Sequence, residues 1–277
     1  MTERFNGQGI NGIGYNYAEQ VSRFRLMDDV FMTAYFNGNI PCTEHVLRII
    51  LNKPGLAVTS VQVQRVLKNL QGRSLILDIH SVDEDGSEYD IEVQRGDEGA
   101  CPQRARYLSA LLDSSVAYPI GKYCEKLREN YVIFITENDV LGYNQPIYLI
   151  ERHILGPDGR PLGSFNDGAH IVFVNGARRH DQTELGRLMH DFFCTRAADM
   201  YSPLLAERMR QLKETKEGER IMTSVVDEIR DLQKYEIAMK MLDDVDEGTL
   251  PLANVARYTG LPLNVINDLA AQRAAAH

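Results

Sequence analysis

LILDIHSVDEDGSEYDIEVQR, residues 75–95, decides the fold. Two alternating runs flank Asp83-Glu84-Asp85-Gly86-Ser87, and Asp-Gly between such runs is a strong β-hairpin signal. In the second arm Tyr89, Ile91 and Val93 alternate with Asp90, Glu92 and Gln94. That alternation predicts a strand with one buried face and one open face. In the first arm Leu75, Leu77 and Ile79 share one face, while Ile76, Asp78 and His80 share the other. Pairing the arms across the turn can bring Asp78 beside Glu92 or Gln94.

Asp78 interrupts a strand that is otherwise apolar on both faces and therefore reads as central. A lone acid there is costly unless it is paired or metal-bound. Two carboxylates from adjacent strands, with a main-chain carbonyl, make a hard-oxygen site suited to Mg²⁺ or Mn²⁺. Such an ion lowers the pKa of a bound water and neutralises charge developing on phosphorus. From the spacing alone, a half-exposed hairpin face is the default reading. Asp83, Glu84 and Asp85 read as solvated turn charges.

Outward from the hairpin, the chain sorts into blocks. Residues 1–20 are rich in Gly and Asn and read as a loose arm. Their G-x-G-x-x-G (Gly7, Gly9, Gly12) has no room for a preceding strand, so it is no dinucleotide fingerprint. Phe24, Met27, Phe31 and Tyr35 predict one helix over 21–35. Pro41 and Thr43, the latter as N-cap, open a second helix that stops at Lys53-Pro54-Gly55. Residues 56–67 alternate as a strand. After Pro102 a helical period runs through Tyr107, Leu108, Leu111 and Leu112, and strands follow at 131–135, 148–155 and 170–175. From about 183 the pattern is helical, ending in two short helices broken at Thr259-Gly260. His190 and Cys194 share a helical face, which reads as packing. The expected organisation is an N-terminal arm (1–20), an α/β domain (21–180) and a helical C-terminal extension (181–277).

A 44% hydrophobic and 25% charged chain is an ordinary globular composition, with ample material for a core. No apolar run approaches the ~18–20 residues of a membrane span. The start of the chain lacks the basic and apolar blocks of a secretory signal. Cys42, Cys101, Cys124 and Cys194 lie far apart, which suggests neither a disulfide framework nor a thiolate zinc site, and a reduced cytoplasmic setting is expected. The net charge of −9 argues against nonspecific coating of nucleic acid. Much of the acidity sits in residues 71–100, with nine acids against two bases, as a cation site or a solvated hairpin would have.

The runs LILDIHSVDEDGSEYDIEVQR, QRARYLSALLDS and GKYCEKLRENYVIFI together resemble the PD-(D/E)XK nuclease-family transposases, relatives of the recombination-promoting nucleases. The resemblance extends back to MDDVF and forward to the EIAMKML and VARYTGL segments. It implies a restriction-endonuclease-like core, with a central mixed sheet flanked by helices, and a metal-dependent DNA endonuclease. It also implies cleavage tied to mobile elements or recombination. Asp78 then matches the metal-binding aspartate and Glu92 the second acidic ligand, with Mg²⁺ or Mn²⁺ as cofactor. Gln94 stands where the wider superfamily has lysine, so it can orient water but supplies no charge. Arg104 matches a phosphate-contacting position. Tyr107 and, loosely, Glu44 match supporting ones, whereas Asp29 is expected to be structural. The alternative is a nuclease-like module that binds DNA or a protein without cutting. VARYTGLPLNVIND has the outline of a helix–turn–helix, but with Arg257 as its only base it is read as a packing or association element, through which copies could assemble.

Overall fold

The computed structural model describes residues 17–67, 75–114, 127–246, 248 and 250–274. The glycine motif of the arm and most of the GKYCEKL run lie outside them. Among the described residues the order begins α1 (Tyr17–Arg23), α2 (Asp29–Phe36), α3 (Ile40–Leu51), β1 (Val58–Leu67), β2 (Leu75–Asp83) and β3 (Glu88–Gln94). It continues with α4 (Pro102–Ser114), β4 (Asn130–Thr136), β5 (Ile147–Ile150), β6 (His153–Leu155), β7 (Pro161–Ser164) and β8 (Ala169–Asn175). Five helices close the chain: α5 (Glu184–Phe193), α6 (Pro203–Glu214), α7 (Lys216–Asp246), α8 (Leu252–Thr259) and α9 (Leu263–Ala274).

Six strands form a mixed sheet in the order β1-β2-β3-β4-β8-β5. β1, β2 and β3 are antiparallel neighbours, β3–β4 and β4–β8 are parallel, and β5 runs antiparallel at the edge. The hairpin forms as its sequence predicts, with Gly86 at φ +80°, where a side chain would be strained. Asp83 is no solvated charge: it accepts the Ser87 amide at 2.8 Å and the Tyr89 hydroxyl at 2.6 Å, which ties the turn.

The parallel β3–β4 pair needs a crossover, and α4 is the helix that lies between these strands in the chain. Its Ala105, Leu108 and Leu112 pack with Leu77, Val132 and Phe134 on one sheet face. The opposite face carries Tyr89, Ile91, Val93, Ile133 and Ile135, covered by α2, α3, α5, α6 and α7. β3 is thus covered on both sides, with Asp90 and Glu92 fully buried, and the expected open face does not exist. β4 is buried along its whole length, and each large apolar side chain there contributes roughly 1.5–3 kcal/mol.

Other expectations change for local reasons. The helix expected over 21–35 breaks between Arg23 and Asp29, where the Asp28 carboxylate accepts the Arg25 amide at 2.8 Å. The expected arm already turns helical at Tyr17. Asn39 caps α3 by accepting the Cys42 amide at 3.2 Å, while Thr43 is buried one turn on. The expected strand 148–155 divides into β5 and β6, and β6 pairs only with β7 in a separate two-stranded ribbon. The boundary expected at 181 falls inside one apolar core, since Leu188, Phe192, Leu205, Met209 and Met222 pack with α2, α3 and the sheet. A separate cluster, Ala238, Leu242, Val255 and Ile266, joins the end of α7 to α8 and α9. The break at Thr259-Gly260 stands, with Gly260 at φ +72° closing α8.

Candidate functional site

The β2–β3 ladder runs from Val82↔Glu88 to Ile79↔Ile91, and at the next step side chains take over. The amide of Asp78 donates to Glu92 Oε1 at 3.3 Å, and the amide of Val93 donates to Asp78 Oδ2 at 3.0 Å. The strand also turns about its axis here. Leu77 and Ile79, two residues apart, pack on different faces of the sheet, and Gln64 on β1 adopts φ +51° between the partners of those two residues. The two acids singled out in the sequence are therefore brought together, each anchored by the main chain beside the other.

Glu92 is fully buried, and its second oxygen accepts a 2.6 Å hydrogen bond from Arg104 Nη2 on α4. Arg104, expected to meet phosphate, is turned onto the second acid. Gln94 is half-buried at the end of β3, and a side chain at Gly99 would collide with its Oε1. Tyr107 points outward from α4, with 39% of its surface exposed.

Glu44 does not reach this place. It accepts the Val58 amide at 3.0 Å and pairs with Arg48 at 2.7 Å, which joins α3 to the start of β1. Asp29, the first residue of α2, is the helical acid whose charge acts on both Asp78 and Glu92. Asp28, Asp29, Asp78, Gln94 and Arg95 line one open cleft of about 1050 Å³. Arg95 pairs with Asp28 at 2.9 Å, and Arg25 with Glu137 at 3.4 Å. Arg23, also at the cleft, is largely exposed.

A third acid of this cluster was not singled out from sequence. Asp90 is fully buried, and neither of its carboxylate oxygens has a hydrogen-bond partner among the described residues. The alternation that placed it on a solvated face hid it. The signal available was its position beside Glu92 on a strand leading into a parallel crossover.

Burial first, and then the charge of Glu92, push Asp78 and Asp90 well above the ordinary aspartate range. Burial raises Glu92 as well, against the Arg104 charge that lowers it. Such a cluster is costly when ionised and is relieved by a cation. The donors of Asp78 and Glu92 are anionic oxygens, the ligand type that a hard divalent ion takes. The His190, Asp191 and Cys194 group could also hold a metal by proximity. Its carboxylate, however, accepts the Tyr201 and Ser202 amides at 2.7 and 2.8 Å, and burial pushes the Cys194 thiol up to about 12. That group ties α5 to the turn before α6.

No helix among the described residues is long and apolar enough to cross a membrane. Comparison with protein-family models, curated proteins and solved structures found no match.

Proposed function

We propose that the chain hydrolyses phosphodiester bonds in DNA with a divalent metal held by Asp78 and Glu92. The observation that carries this reading is the exchange at the end of the β2–β3 ladder. There, the half-buried Asp78 at the edge of an open cleft and the fully buried Glu92 behind it replace main-chain pairing with their carboxylates. The order α3–β1–β2–β3–α4–β4, with β3 and β4 parallel, supports the restriction-endonuclease-like core that the sequence resemblance implies.

When bound, Mg²⁺ or Mn²⁺ would supply an activated water and offset charge at the phosphorus. The chain's own residues orient and hold. Gln94 orients the attacking water by hydrogen bonding and carries no charge. Asp29 adds negative charge that favours the ion. Arg23 and Arg95 at the cleft meet the DNA backbone, with Arg95 leaving Asp28 to do so. Arg104 holds Glu92 in place from the α4 side.

The test is nicking of a supercoiled plasmid with Mg²⁺ or Mn²⁺ by the native chain, Asp78→Ala and Glu92→Ala. Cutting by the native chain alone supports the reading, and equal cutting by all three sinks it. One observation favours a second reading, a nuclease-like module that binds without cutting. Both oxygens of Glu92 are already engaged, and no lysine stands at position 94. That reading expects metal-independent DNA binding and no nicking.

A further inference from the structure

We propose that Arg104 is an internal counter-ion for the acid cluster, seated on Glu92 without metal and passed to Asp90 when a divalent cation takes Glu92. The proposal rests on the metal reading above and adds a device that governs access to the site.

Three observations converge. Arg104 Nη2 already occupies Glu92 Oε2, the oxygen that the Asp78 amide does not use. Arg104 Nε is buried with no partner, so part of the guanidinium fork is unspent. Both oxygens of Asp90 are also buried with no partner, and the charges of Arg104 and Arg65 both reach that carboxylate. Arg65 is committed elsewhere, 3.6 Å from Glu88, which in turn meets His80 at 2.8 Å. Among the described residues, Arg104 is therefore the cation available to Asp90.

Asp90 and Glu92 share one face of β3, about 7 Å apart along the strand. A guanidinium on a flexible stem spans that interval, and its planar fork suits a carboxylate at either station. The transfer costs little, because a charged hydrogen bond lost at Glu92 is regained at Asp90. It also explains why a fully buried acid persists where an apolar residue would pack. Asp90 and Arg104 are positioning residues here, acting through Glu92.

The experiment is a double-mutant cycle read by Mn²⁺ binding, using calorimetry on the full chain with DNA absent. Arg104→Gln frees Glu92 and is expected to tighten Mn²⁺ binding by roughly tenfold. Asp90→Asn removes the second station and is expected to weaken it by roughly tenfold. In the double variant the Asp90 effect disappears, leaving the affinity of Arg104→Gln. If Arg104→Gln does not fold, Arg104→Lys keeps the charge without the fork and is expected to blunt the Asp90 effect. A loss on Asp90→Asn that is equal with and without Arg104 overturns the proposal and makes Asp90 an ordinary ligand. Weaker binding in Arg104→Gln overturns it too. Absence of Mn²⁺ binding in every variant overturns both this and the metal reading, whereas native binding and cutting with an additive cycle overturns only the transfer.

Discussion

Asp78 and Glu92 are joined through a main-chain amide, the Asp78 N–H donating to Glu92 Oε1 at 3.3 Å, where the strands would otherwise pair by backbone alone. The Val93 amide answers from the other strand at 3.0 Å. Two carboxylates spend hydrogen-bonding capacity on the fold and remain beside the cleft. This arrangement makes their neighbourhood testable residue by residue.

Asp29 and Glu44 are expected to separate cleanly. The Asp29 charge acts on both acids, so Asp29→Asn should weaken Mn²⁺ binding several-fold while leaving the melting temperature nearly unchanged. Glu44 holds the Val58 amide and Arg48, so Glu44→Gln should cost about 1 kcal/mol of stability and leave Mn²⁺ affinity alone. Calorimetry and thermal melts on the two variants check both halves.

Asp90 should make the metal-free protein less stable as pH rises. Its pKa in the fold lies well above the ordinary 3.8, chiefly through burial and then the Glu92 charge, so the folded state binds the extra proton. Its contribution is complete below the unfolded pKa and is lost as pH climbs through the elevated folded value. Asp78 and Glu92 add to the same trend. Asp90→Asn should therefore match the native melting temperature near pH 4 and exceed it at pH 8. Equal pH slopes for the two chains would contradict this.

Gln94 is seated against Gly99, where a methyl group would overlap its amide oxygen. Gly99→Ala should displace that amide and lower metal-dependent nicking several-fold. The free energy of unfolding should change by no more than about 1 kcal/mol, because Gly99 is only half-buried. Gln94→Ala is expected to reproduce the same loss.

Much of this was legible in the sequence where one local signal dominates. The Asp-Gly hairpin, β4, β8 and the glycine stop before α9 all follow from period and turn chemistry. Asp78 stood out because an acid within an apolar strand is anomalous on its own. Features set by distant packing did not show. Asp90 looked like a solvated residue until α4 covered its face, and Asp29 gained meaning only when the start of α2 was brought to the cleft. The division of 148–155 depends on which strand each half pairs with, and period 2 carries no such information.

The most direct measurement is anomalous diffraction from crystals soaked in Mn²⁺. The account predicts a peak beside Asp78 and Glu92, with the Arg104 guanidinium moved from Glu92 toward Asp90. A peak confined to His190, Asp191 and Cys194, or no peak while Arg104 stays on Glu92, would contradict it.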